Sequence, residues 1–213
     1  MRYPAFALAV LSLAACNPSA PSRQTEQSAD AAFPNLASAS YRAEATVTGE
    51  DGRSVPMVMI RSGAKMRMEI SAPQGASTIV SNGESGESFI LTNAGGRTMA
   101  MRMTDMDQFK DPAAAWSAEL ATNATRSGDC TFAGEQGAEW TRTEDGAVKT
   151  ACVTQDGILL RATDAGRTVW ETTSVERGAQ APDLFEVPEG VQVLDLNNMR
   201  GMAEALAKAR GGN

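Results

Sequence analysis

The sequence predicts a mainly β protein built on one strongly curved antiparallel sheet of about ten or eleven strands. Three observations lead there. From Tyr41 onward apolar and polar residues alternate in short runs, the period of a half-buried strand. Glycine-containing turns separate the runs without long helices between them. Ten or eleven strands are also too many for one flat open sheet, so the sheet must curl.

The elements follow in order. Tyr41, Ala43, Ala45 and Val47 alternate with Arg42, Glu44, Thr46 and Thr48, and Gly49-Glu50-Asp51-Gly52 turns the chain. Val55, Met57 and Met59 form one face of the next strand, which ends at Ser62-Gly63. Met66, Met68 and Ile70 then alternate with Lys65, Arg67 and Glu69. Strands follow at Ala76–Ser81, Glu87–Thr92 and Arg97–Met103, with Asn82-Gly83 and Gly95-Gly96 as turn signals. A helical insertion comes next. Thr104 with Asp107 caps one short helix, Asp111-Pro112 opens a second, and Trp116 and Leu120 share a face. The meander resumes at Asp129–Gly134, Ala138–Thr143, Val148–Thr154, Ile158–Thr163 and Arg167–Ser174. Asn197 or Asn198 caps a final helix with Met199, Met202 and Leu206 as its apolar positions.

The N-terminus is organised differently. Arg2 precedes an apolar run from Ala5 to Ala15, too short to span a bilayer and the right length for a signal peptide. The run ends in Leu13-Ala14-Ala15-Cys16, which resembles the bacterial lipobox. That resemblance implies lipidation of the Cys16 thiol, palmitate-type acylation included, and cleavage before it. Each buried acyl methylene contributes about 0.8 kcal/mol, so two or three chains hold a protein firmly on a membrane. Residues 17–40 are rich in Ser, Ala, Pro and Gln and read as a disordered tether. The chain thus divides into a signal peptide (1–15), lipidated cysteine and tether (16–40), β domain (41–196) and C-terminal helix or tail (197–213).

Composition narrows the function. Removing Arg2 with the signal peptide leaves 18 basic against 26 acidic residues, which excludes a basic nucleic-acid surface and electrostatic docking on anionic lipid. The sequence has no histidine, which removes the usual catalytic triads and most zinc sites. Ser62-Gly63-Ala64-Lys65 matches a Ser-x-x-Lys string, but it straddles a hairpin turn and has no companion motifs. No catalytic residue, metal site or cofactor is assigned, and the chain is read as a non-enzyme.

These features together resemble the periplasmic lipoprotein-carrier superfamily, the LolA/LolB-like group, and within it an uncharacterised lipoprotein branch. The resemblance covers Tyr41 to Leu196 (by number, 41–196) and rests on strand order, the insertion and the tail Pro182-Asp183-Leu184-Phe185-Glu186-Val187-Pro188-Glu189-Gly190-Val191. It implies a half-open β-barrel with short helices on the concave side, and binding of acyl chains or lipidated cargo there. No individual cargo-handling residue carries over.

Methionine is the unusual feature. Eight of the eleven lie between Met57 and Met106, and Met57/Met59, Met66/Met68 and Met99/Met101/Met103 each share a strand face. Flexible, polarizable thioethers suit a cavity for variable apolar ligands. Two other readings stand beside that one: ordinary core residues in a structural or assembly lipoprotein, and a Cu(I) site of Met-x-Met pairs. Cys130 and Cys152, the only mature cysteines besides Cys16, are expected to form a disulfide in an oxidising compartment. The expected location is the bacterial envelope, lipid-anchored and facing the periplasm. Asn17 after the anchor favours the outer membrane under the enterobacterial sorting rule.

Overall fold

The computed structural model describes residues 32–73, 75–94, 96–103 and 122–195. The alternating runs become twelve strands: β1 (Ser40–Thr48), β2 (Ser54–Ser62), β3 (Lys65–Ala72), β4 (Gly75–Asn82), β5 (Glu87–Ala94), β6 (Arg97–Met103), β7 (Thr125–Phe132), β8 (Glu135–Glu144), β9 (Ala147–Val153), β10 (Leu159–Asp164), β11 (Arg167–Arg177) and β12 (Gln192–Asp195). They form a single sheet in the order β12-β6-β5-β4-β3-β2-β1-β11-β10-β9-β8-β7. Two hairpin meanders, β1–β6 and β7–β11, are therefore joined where the first strand pairs antiparallel with the eleventh.

Three features differ from the sequence reading. The sheet has twelve strands because the tail supplies β12, whose four residues pair in parallel with β6. So short a strand has no legible alternation, and its partner is fixed only by tertiary structure. The sheet is open, ending at β12 and β7, and does not close into a barrel. The short helices expected on the concave side find no support among the described residues, whose only helical element is a 3-10 turn at Pro182–Phe185. The expected helices of the insertion and the C-terminus lie outside the described residues.

One boundary also moves. β7 begins four residues before the expected Asp129 and turns at Ala133-Gly134, with φ of 53° and 76°. Left-handed φ at both central positions is the hairpin geometry that matches strand twist. An alanine at the first of them carries no such signal.

Both faces of the β1–β6 half are covered with apolar groups. On one face Tyr41, Ala43, Ala45, Met57, Met59, Met66, Met68 and Ile79 enter a core that continues through Trp140, Ala151, Val153, Leu160, Ala162 and Trp170 of the other half. On the opposite face Ile60, Val80, Leu91 and Ala100 surround Phe185 from the 3-10 turn, with Val187 and Val191 beside them. Arg67 donates to the Leu184 carbonyl at 3.1 Å and fastens this tail to the sheet. Burying a phenylalanine of this kind contributes about 1.5–3 kcal/mol.

The packed chain begins before Tyr41. Residues 33–39 form a strap over the inner face of the β7–β11 half: Leu36 is buried and the Phe33 ring meets Trp140 edge-on at 5.2 Å. The strap crosses Gly157 closely, since a Cβ there would lie 2.1 Å from the Asn35 carbonyl oxygen. Cys130 and Cys152 are joined by a disulfide that ties β7 to β9. Cys130 lies opposite Gly137 on the intervening β8, and that glycine leaves room for the bridge.

Candidate functional site

Cross-strand partners in a sheet share a face, so register decides which methionines meet. Met59 is opposite Met68, Arg61 opposite Met66, and Met57 opposite Ile70. These four methionines, Met57, Met59, Met66 and Met68, are 2–6% exposed. Met99, Met101 and Met103 lie on the same face of β6 and are half-buried. They do not touch the first group directly along the sheet, because β4 and β5 intervene and contribute Ile79 and Ile90.

The result is one apolar ladder crossing eight strands. It runs Val175, Ala43, Met59, Met68, Ile79, Ile90, Met101 and Leu194, from β11 through β1–β6 to β12. Sequence reasoning located its thioethers and missed its isoleucines and Leu194. The isoleucine alternation was present in the strands, whereas Leu194 depended on the unrecognised β12. Arg67 and Arg102, which separate methionines in sequence, point to the other face. There Arg67 pairs with Glu69 at 2.7 Å, and Arg102 pairs with Glu87 and lies over the Phe89 ring at 4.8 Å.

The ladder is flanked by a polar row. Arg61, 4% exposed, donates to the Met66 sulfur at 3.4 Å, and Ser88 donates to the Ser81 hydroxyl at 2.9 Å. That contact occupies a lone pair of the Met66 sulfur that a Cu(I) ion would need. This counts against a Cu(I) site built on Met66. The described residues hold no cluster of three or more His, Cys, Asp or Glu placed to bind a metal.

A separate charged cluster fastens the strap end of the molecule. Arg177, at the end of β11, donates to Asp156 at 2.7 Å and pairs with Glu135 at 2.8 Å. The Arg177 hydrogen bond holds the Asp156 carboxyl below its ordinary range, against the opposing effect of burial and with help from Thr154. The same contacts push the Arg177 guanidinium up. Ser38 of the strap donates to the Asp156 carbonyl at 3.2 Å, so the cluster and the strap are one assembly. Cys16 lies outside the described residues, and among those described no helix is long and apolar enough to cross a membrane.

No protein-family model and no curated protein matches the chain. Among solved structures it is similar to MucB, with a TM-score of 0.51 and 16% identity over 75% of this chain and 61% of that one. It is similar also to an uncharacterised conserved protein from Thermus thermophilus, with a TM-score of 0.51 and 12% identity over 74% of this chain and 91% of that one. PNGF-II matches at a TM-score of 0.46 and 13% identity, over 77% of this chain, which spans about a third of PNGF-II. MucB and MucA of Pseudomonas aeruginosa have been solved as a complex. At these identities the likeness establishes the fold alone, an open LolA/MucB-like antiparallel sheet.

Proposed function

We propose that this chain is a periplasmic lipoprotein, anchored through acylated Cys16, that binds a hydrophobic ligand on the inner face of its sheet without catalysing a reaction. The ligand class is an acyl chain, a lipid or a lipidated protein. The ladder from Ala43 to Leu194 carries this reading. Its inboard part is packed core, and its half-buried end, with Ile90, Met99, Met101, Met103 and Leu194, is where a flexible chain would make contact with thioethers that adapt to its kinks. MucB, to which the fold is similar, has been solved with a protein partner, so a protein ligand, lipidated in this reading, stands beside free lipid as cargo. The signal-peptide pattern, the lipobox and Asn17 support export and retention at the outer membrane.

Native mass spectrometry of the full-length protein purified from its own envelope tests the ligand. Lipid adducts are expected beyond the mass of the anchor, and a fluorescent acyl probe is expected to bind the stripped protein. Met101→Asp, at the half-buried end of the ladder, should weaken that probe at least tenfold. Spectra free of adducts, together with no probe binding, would leave only a structural or assembly role.

A further inference from the structure

The strap does not seal the sheet beneath it. Between Ala32 and Pro34 on one side and Gly137, Ala138, Trp140 and Val153 on the other lies an open cleft of about 280 Å³. That is near the lower end of small-molecule sites. Its lining is mostly apolar, with Arg126, Gln136 and Gln155 as its polar members. The same two glutamines line an adjoining cleft of about 320 Å³ that reaches Asp156 and Arg177.

Two observations identify the chemistry of an occupant. The first is charge. The cations of both clefts are already neutralised, Arg126 by Asp129 and Arg177 by Asp156 and Glu135. An anionic headgroup would therefore have to compete with a carboxylate already in place, while the glutamine amides favour a neutral group that accepts hydrogen bonds. The second is Trp140. It is 3% exposed, it lines the cleft, and its Nε1–H has no acceptor among the described residues. A buried donor left unmade costs about 1–3 kcal/mol, which a ligand carbonyl would recover. Reaching Nε1 requires the Phe33 end of the strap to shift off the Trp140 ring, while buried Leu36 and the Ser38–Asp156 hydrogen bond hold the rest of it.

We infer that the cleft beneath the strap seats the carbonyl end of an uncharged acyl ester or amide, with the Trp140 indole N–H donating to that carbonyl. This rests on the acyl-binding reading above and adds a discrimination to it: the site selects acyl esters and amides over free fatty acids.

The test compares monolaurin with laurate on the purified full chain, by calorimetry in detergent-free buffer. Wild type is expected to bind monolaurin at least tenfold more tightly. Trp140→Phe keeps an aromatic ring and removes the donor, so the ratio should fall to about one with laurate affinity unchanged. Ala138→Trp fills the cleft and should weaken monolaurin at least tenfold, and circular dichroism confirms folding of each variant. Equal binding of the two probes by wild type, a preference that survives Trp140→Phe, or full monolaurin affinity in Ala138→Trp overturns this inference and leaves acyl binding standing. Absence of binding by either probe overturns both.

Discussion

Two single residues set the strap-proximal end of the sheet. Gly137 has no positive φ to excuse it; its role is space. A Cβ there would lie 2.7 Å from the Val153 carbonyl oxygen and 3.3 Å from the Cys152 sulfur, both fixed by the sheet and the disulfide. Gly137→Ala should therefore destabilise the protein by about 1–3 kcal/mol, the usual cost of overpacking. Urea unfolding measures it, and a stability within error of wild type would show that β8 shifts freely. Asp156 gives the second prediction. Its carboxyl is held down chiefly by the Arg177 hydrogen bond, so its contribution is present above the ordinary carboxylate pKa of 3.8 and fades as pH falls below it. Because the pair is about two-fifths exposed, that contribution is at most about 1 kcal/mol. Asp156→Asn should be less stable than wild type at pH 7, and the gap should narrow as acidification carries the pH below 3.8 and through the lowered carboxyl pKa. A gap that does not narrow on acidification would trace to lost packing instead. Neither residue was legible in the sequence as special, since both look like ordinary turn or strand residues until the neighbouring strands are placed.

At the scale of elements, the strands of the first meander were readable because Met57/Met59, Met66/Met68 and their polar neighbours alternate cleanly over strands of eight or nine residues. The tail was readable only as a string. Leu184-Phe185 and Val187 carry no period, and their place on the outer face depends on the patch that Ile60, Val80, Leu91 and Ala100 leave there. Phe185 is the anchor of that docking, at 4% exposure. Phe185→Ala should cost about 3–5 kcal/mol if the whole segment stays in place and leaves a cavity. A smaller loss is expected if the tail peels away, and then β12 should leave the edge of β6 with it. Hydrogen exchange separates the outcomes: faster exchange confined to β6 and β12 marks detachment, and unchanged exchange there would mean that β12 holds the edge without Phe185.

At the scale of the whole molecule, the first meander and the second meet at the β1–β11 pair, and the strap enters beside that seam. Gly178 donates to the Ser40 carbonyl at 3.1 Å, so the start of β1 and the end of β11 leave the sheet together. Among the described residues, the strap is the first segment of the chain to pack on the sheet. Strap, Trp140 cleft and Asp156–Arg177 cluster lie at that place. The disulfide joins Cys130 to Cys152, so the proposed anchor at Cys16 can be removed without touching the bridge. In a Cys16→Ser variant expressed in its own envelope, labelled palmitate should no longer be incorporated, and the protein should move from the membrane fraction to the soluble periplasmic one. Its thermal midpoint should match that of the wild-type domain within error, with the core and the Cys130–Cys152 bridge holding the fold. Continued membrane association of Cys16→Ser without palmitate would mean that a surface of the sheet itself holds the membrane, and the lipid-anchor reading would fall.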